Sequence, residues 1–399
     1  MVRITSDRPR LSFRSCGVWC AVLLLVFLAE PVLAIPAFAR RYGLPCQYCH
    51  DGYPKLSPLG EQFKERGFRM QQETFTVKEW LKSVPVSLRA GVRETFVEEG
   101  DATASGSFKV VSAASLGRRF AYWFDQVFAV TEDGFDYRGA DNAFLRFDMR
   151  PGELYARGGR LELDLPSSQT RSPHVLAYDI YFANTGFESD SIGLYQEGGE
   201  LGGFMGEETR WSIAVVRGRN SSEAEELSDR AGRFDANFYG RIAYRKGQSR
   251  VGTFGYVGRN VLARVDGGQT LEWEDDLVRL GFDGYAWWRK VNLYGVFLYG
   301  RNGNSYADAL HPSGSGVAQS LSGGFLQADY HLRDEVAPTL RLSVVRRPSD
   351  RVGSSQITYT GIIPGVQIWF KRQIKISFEV GFYNQDRATV GAFQVEVGL

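Results

Sequence analysis

"IKISFEVGF" occupies Ile374 to Phe382, and apolar residues fall on every second position. Ile374, Ile376, Phe378, Val380 and Phe382 share one side of an extended chain, and Lys375, Ser377 and Glu379 share the other. A period of two with one apolar and one polar face is the signature of a β-strand. "FQVEVGL" repeats it through Phe393, Val395, Val397 and Leu399, and "LRLSV" and "YGRIAYR" alternate in the same way. From about Val84 onward the chain therefore reads as all-β.

Sandwiches and propellers alternate too, so the choice among β architectures rests on three further features. Segments of about 10 to 13 residues match tilted membrane-spanning strands. Aromatics cluster near segment ends in "AYWFDQVF", "YAWW" and "VQIWF", as interfacial girdles require. Tight turns at 117–118, 151–152, 246–247, 289–290 and 371–372 alternate with longer loops expected near 164–174, 220–235, 260–274, 302–320 and 347–354. Short turns on one rim and long loops on the other describe an outer-membrane barrel. The expected fold is a transmembrane antiparallel β-barrel of about 16 strands, or 18 if 189–207 adds a short hairpin. "VNLYGVFLYG" is apolar on both faces, which predicts a lumen partly packed with side chains.

Upstream the character changes. Arg3, Arg8, Arg10 and Arg14 precede an apolar stretch from Gly17 to Ala29, and "PVLA" sets Val32 and Ala34 at the −3 and −1 positions of a cleavage site. Residues 1–34 are thus expected to be a secretory signal peptide, with the rest exported to the outer membrane of a Gram-negative bacterium. A net charge of +1 gives no bias toward nucleic acid. Cys16 and Cys20 would leave with the signal, so the exported chain keeps Cys46 and Cys49 alone and has no disulfide framework.

Those two cysteines belong to "CQYCH", Cys46 to His50. C-x-x-C-H is the attachment signal for haem c: two thiols bind the porphyrin edge, and the adjacent histidine becomes the proximal iron ligand. Competing readings are a zinc site, a dithiol redox pair or chance. Zinc needs four ligands, and His174, His311 and His331 stand isolated. A thioredoxin-like pair needs a βαβ setting, which the pattern lacks. One haem c is therefore expected, held by Cys46 and Cys49 with His50 on the iron.

Ser57 and Pro58 suit the N-cap and first position of a short helix reaching about Arg66, with Gly67 as its stop. Leu56, Leu59 and Phe63 recur on one face and are expected to pack on the haem, or else to dock an amphipathic turn on the wall. Met70 is the candidate distal iron ligand; His174, His331 or an open position are the alternatives. Residues 35–83 form the haem segment and 84–399 the barrel. About 50 residues are too few to bury a haem with their own core, and a 16-stranded lumen is wide enough to hold a plug. The haem segment is accordingly expected inside the lumen.

A short haem c segment ahead of a barrel resembles the fused cytochrome–porin family of outer-membrane iron oxidases. Pro36, Phe38, Ala39, Arg40, Gly43, Cys46, Cys49, His50, Pro54, Leu56, Gly60, Phe63, Lys64 and Gly67 match its pattern. Arg41, Tyr42, Glu61 and Phe68 depart from it. The resemblance covers about 35 residues in detail and the barrel in class and length. It implies an iron-oxidising electron-transfer protein that takes electrons from an extracellular donor such as Fe(II) and passes them to a periplasmic carrier such as a soluble cytochrome c. Another redox role, or a diffusion porin with a structural haem segment, is the alternative. Acidic runs Glu223, Glu225, Glu226, Asp229 and Glu272, Glu274, Asp275, Asp276, expected in or beside long loops, are candidate cation-gathering clusters.

Overall fold

The structure is a computed structural model. It describes residues 37–44, 48–50, 55–70, 85–98, 102–131, 134–165, 174–182, 192–193, 195–217, 236–266, 269–304, 318–348, 356–370, 374–384 and 389–398. The expected signal peptide, Cys46 and the acidic run 223–229 lie outside the described residues.

Among the described residues two helices come first, α1 (Ala37–Tyr42) and α2 (Pro58–Glu65). Sixteen strands follow: β1 (Val86–Val97), β2 (Thr103–Leu116), β3 (Phe120–Thr131), β4 (Gly134–Arg150), β5 (Leu154–Leu161), β6 (Gln196–Met205), β7 (Thr209–Arg217) and β8 (Ala236–Lys246), then β9 (Ser249–Asp266), β10 (Gln269–Trp288), β11 (Val291–Asn302), β12 (Gln319–Tyr330), β13 (Val336–Pro348), β14 (Gln356–Phe370), β15 (Ile374–Tyr383) and β16 (Val390–Gly398). A one-turn helix, α3 (Asp179–Phe182), interrupts the β5–β6 connection. Each strand pairs antiparallel with its neighbours in sequence, and β1 pairs with β16 from Arg89↔Gly398 to Val97↔Val390. Closure leaves no unpaired edge, the condition for a sheet to cross a bilayer. The residues 189–207 contribute β6 and no additional hairpin among the described residues.

The alternation is inside-out relative to a soluble protein. In "IKISFEVGF" the lumenal side chains are Lys375 (1% exposed), Ser377 and Glu379, whereas Phe378 (45%) and Phe382 (53%) point outward. On β13 Arg341 and Ser343 face in while Leu340, Leu342 and Val344 face out. An apolar outer surface is costly in water and favourable in lipid. Phe120, Trp288 (70% exposed) and Phe370 mark strand ends beside short turns, where an aromatic girdle belongs.

Short connections join β2–β3, β4–β5, β6–β7, β8–β9, β10–β11, β12–β13 and β14–β15. Gly117, Gly152, Gly206 and Gly247 adopt positive φ in four of them, a conformation L side chains rarely take. The other rim carries the long connections 162–195, 218–235 and 303–318. One expected loop is corrected. Residues 260–274 continue the ladder: β9 and β10 pair out to Gln269↔Asp266 and leave only two residues between them. The run 272–276 is consequently split by strand alternation. Asp275 turns inward to Asn302, while Glu274 and Asp276 pair outside with Arg259 at 2.8 and 2.6 Å.

The largest apolar core lies within the lumen. Leu161 at the end of β5, and Leu163, Tyr178, Ile180 and Tyr181 of the β5–β6 connection, pack in one cluster with wall residues Tyr294, Val296, Leu298 and Phe325. This inward segment explains why "VNLYGVFLYG" is apolar on both faces: Leu293 and Phe297 face lipid, and Tyr294 and Val296 face the segment.

Candidate functional site

The motif segment sits at the rim of short turns, inside the barrel. Its organising element is α2. Ser57 caps it, the side chain accepting from the Gly60 amide at 3.1 Å, and Pro58 occupies the first position, where no N–H is needed. The helix stops as expected near Arg66. Gly67 (φ 67°) and Phe68 (φ 62°) turn left-handed, and the bonds Phe68 N→Phe63 O and Gly67 N→Lys64 O form a Schellman pair.

The stretch Lys55–Ser57 wraps the cysteine turn. The Ser57 amide donates to the Cys49 carbonyl at 3.0 Å and its hydroxyl to the Tyr48 carbonyl at 2.7 Å. His50 forms a bridge with Leu56 and donates from Nδ1 to the Lys55 carbonyl at 3.2 Å. A carbonyl can only accept, so the proton is on Nδ1 and the lone pair is on Nε2, the nitrogen that then suits a metal. Gly60 lies against the same turn, and a Cβ there would stand 2.0 Å from the Cys49 carbonyl oxygen. Beside the turn, Tyr48 (55%) and Leu59 (36%) leave apolar surface uncovered.

Charged pairs tie the segment to the wall over half the barrel circumference. Lys55 reaches Asp329 at 3.0 Å on β12 and Asn292 on β11. Glu61 accepts from Arg245 (2.9 Å) and Arg250 (3.1 Å), and Glu65 from Arg210 (3.1 Å) and Arg245 (3.3 Å). Arg69 pairs with Asp148 on β4 and donates to the Phe120 carbonyl at 2.7 Å. These partners lie beside the short turns, which locates the plug at the periplasmic mouth.

The predicted site residues divide. Cys49, His50 and Leu56 are together in the clamped turn, with Leu59 exposed nearby. Phe63 packs against Phe38 (4.9 Å between centroids) and Tyr42 (5.6 Å), in a cluster with Phe68 on the wall residues Ala113 and Ala121. Met70 packs on that same cluster, on the side facing β2 and β3, whereas His50 is bonded to Lys55, which reaches β11 and β12. His174 is engaged at both nitrogens, Nδ1 with Glu379 at 2.8 Å and Nε2 with Tyr294 at 2.7 Å. His331 packs beside Trp287, the rings tilted at 46° with 5.0 Å between centroids.

Cys49 and His50 fit a covalently attached haem. The bond from Nδ1 to a backbone carbonyl orients the ring as second-sphere carbonyls orient ligating imidazoles, and the exposed Tyr48 and Leu59 lie in and beside the turn.

Above the plug, the β5–β6 segment fills the lumen. Arg210 links the two, bonding Asp164 at 2.9 Å as well as Glu65. The amides of Val175 and Leu176 donate to Glu379, and Arg341 donates to the Leu176 carbonyl. The Tyr178 ring stacks on Phe325 at 4.2 Å. Lys55, Asn292, Asp329, Arg210 and Arg245 were not legible as site residues: each is one polar residue in an alternating strand or turn, and only the tertiary fold aims it at the plug.

No protein-family model and no curated protein matches the chain. Solved structures do. An anion-selective porin from Comamonas acidovorans matches at TM-score 0.57 and 10% identity, over 79% of this chain and 98% of that one. OmpT, an outer membrane protein of Vibrio cholerae in trimer form, matches at TM-score 0.55 and 12% identity, over 79% and 99%. OprB of Pseudomonas putida matches at TM-score 0.53 and 8% identity, over 81% and 96%. The likeness is one of fold. Together with the closed 16-strand sheet and its apolar outer face, it gives the chain the fold of an outer-membrane β-barrel.

Proposed function

We propose that the protein transfers electrons across the outer membrane through one haem c held in the lumen, oxidising an extracellular donor such as Fe(II) and delivering to a periplasmic carrier such as a soluble cytochrome c. The observation that carries this reading is the clamped turn. Cys49 and His50 sit inside the barrel mouth, with His50 Nδ1 donating to the Lys55 carbonyl and the Ser57 amide holding the Cys49 carbonyl. Haem c would supply a one-electron iron centre there, bound through Cys46, Cys49 and His50. The chain's own residues orient the imidazole, fix the segment to the wall and fill the lumen above it. The detailed motif match to the fused cytochrome–porin family supports the same assignment, and the Fe(II) donor rests on that match.

A second reading, a diffusion porin with a structural haem segment, is favoured by the likeness to porins. Against it stands the packed lumen, where Tyr178, Tyr181 and Leu298 are fully buried. The protein made in a host with a cytochrome c maturation system should keep its haem on a denaturing gel, and Cys46→Ala with Cys49→Ala should abolish that. Stopped-flow mixing with Fe(II) should then reduce the haem in a single turnover. Retained haem that Fe(II) does not reduce, with liposome swelling by small solutes, would favour the porin reading.

A further inference from the structure

Lys55 holds two positions at once. Its carbonyl accepts the His50 Nδ1 proton at 3.2 Å, and its ammonium is fixed by the barrel. Nζ donates to Asp329 at 3.0 Å and to Asn292, and lies 4.0 Å from the centroid of the Tyr294 ring. These contacts bridge more than 230 residues of sequence. Asp329 and Asn292 are themselves almost wholly buried. Asp329 also accepts from Gln327 at 2.9 Å, which restricts its rotation. The backbone on the far side of Lys55 is equally constrained, since Leu56 bridges to His50 and Ser57 bonds the cysteine turn twice.

We infer that Lys55 is a positioning residue through which the barrel wall orients the axial histidine and sets the electron affinity of the bound iron. This inference rests on the haem reading above. A firm Nδ1–H···O=C bond makes the imidazole more electron-rich and stabilises ferric iron. Weakening the anchor lets the Lys55 carbonyl drift, the bond lengthens, and ferrous iron is favoured. The wall would thereby act on the iron without touching it, and a barrel residue would be as much part of the redox site as the motif itself.

Two substitutions separate this from simple loosening of the plug. Asp329→Asn weakens the anchor and removes a negative charge near the iron, and both effects favour the reduced state. Asn292→Leu weakens the anchor with no change of charge. Each is expected to shift the haem reduction equilibrium about tenfold toward ferrous iron, ~59 mV for one electron, as read by redox titration of the full-length haem protein. Asp148→Asn breaks the Arg69 contact at the opposite end of the segment and should leave the titration within about twofold of wild type. Covalent haem should persist in all three on a denaturing gel. Unchanged potentials in both Asp329→Asn and Asn292→Leu, with haem attached, would overturn the inference and leave the haem reading intact. An equal shift in Asp148→Asn would overturn it as well, since plug loosening would then suffice. A wild-type chain that retains no haem would overturn both.

Discussion

Gly60→Ala tests the plug directly, because two effects of opposite sign meet at one atom. Alanine is favoured over glycine in a helix by about 1 kcal/mol, and Gly60 has ordinary helical φ. Yet the added Cβ would stand 2.0 Å from the Cys49 carbonyl oxygen and 2.8 Å from its carbon. Those are backbone atoms, so no side-chain rotation relieves the overlap. The turn and the helix must separate by more than 1 Å. The Ser57 bonds to Cys49 and Tyr48 would then break, at about 1 kcal/mol each, and overpacking adds about 1 to 3 kcal/mol. Steric cost wins, with a net destabilisation of docking of about 2 to 4 kcal/mol. Even the lower figure multiplies the undocked fraction on the order of 30-fold.

Limited trypsin digestion reads that fraction at Lys64, which is half-buried within the helix and is cleaved only when the helix opens. Cleavage follows the open population when reclosing is fast. Gly60→Ala should be clipped at least tenfold faster than wild type. Gln62→Ala, which keeps the helix and its Arg66→Gln62 backbone bond, should be clipped at the wild-type rate. Equal rates for all three proteins would refute the close packing of α2 on the cysteine turn.

Three further outcomes are expected. Tags inserted at Ser222 should be labelled on intact cells and tags at Gly247 should not; the opposite pattern would invert the barrel. Glu396 lies between Arg89 and Lys375 at the β1–β16–β15 seam, so Glu396→Gln leaves buried cationic charge unpaired and should lower stability by about 3 kcal/mol in denaturant unfolding; an unmoved midpoint would show that the seam does not depend on this triad. In the β12–β13 turn, burial pushes the His331 imidazole below its usual range, aided by Lys55 and opposed by Asp329 and Asp334. A depressed histidine contributes stability that is full above its unfolded pKa of about 6.5 and is lost as pH falls through the folded value, so His331→Gln should flatten the acid side of the stability profile, and an unchanged slope would exclude it.

Barrel class, strand count and the inward set Lys375, Ser377 and Glu379 were legible because period-two alternation is local and needs no tertiary knowledge. So were the Ser57 cap and the Gly67 stop, which are properties of a few consecutive residues. What escaped was long-range. The loop expected at 260–274 is strand because β9 and β10 pair beyond the membrane-spanning length; Leu271 and Trp273 alternate there with Glu272 and Glu274 and pack with Leu262, a trace that the neighbouring acidic residues made read as loop. Phe63 was placed on a helix face correctly as apolar, but its neighbours Phe38 and Phe68 could be identified only once α1 folded back on α2. Glu61 departs from the pattern of the family that the segment resembles. The fold supplies the reason: Arg245 and Arg250 stand opposite, so a carboxylate is the matching charge in this barrel.

The plug's position constrains any route for electrons. The cysteine turn is held at the mouth lined by short turns, and the apolar band of such a barrel is about 25 Å tall. On the proposed reading an external donor either reaches down through the lumen, or the lumen carries electrons down to the cysteine turn. The β5–β6 segment bears on the first option, because Leu161, Leu163, Ile180 and Tyr181 are buried there and packed against the wall. The second option has protein continuously in the way. Lys55 lies over the Tyr294 ring, Tyr294 contacts Phe325 at 6.3 Å, Phe325 stacks on Tyr178 and Tyr178 meets Tyr181 at 6.1 Å. On the proposed reading, thinning this column should slow reduction by an external donor without altering the haem itself. Tyr178→Leu keeps an apolar side chain in the gap but removes the stack on Phe325. Reduction by Fe(II) added outside proteoliposomes should fall severalfold, while reduction by a membrane-permeant reductant stays unchanged. Equal slowing with both reductants would place the defect in the haem site, and no slowing with either would mean that the donor enters the lumen by another path.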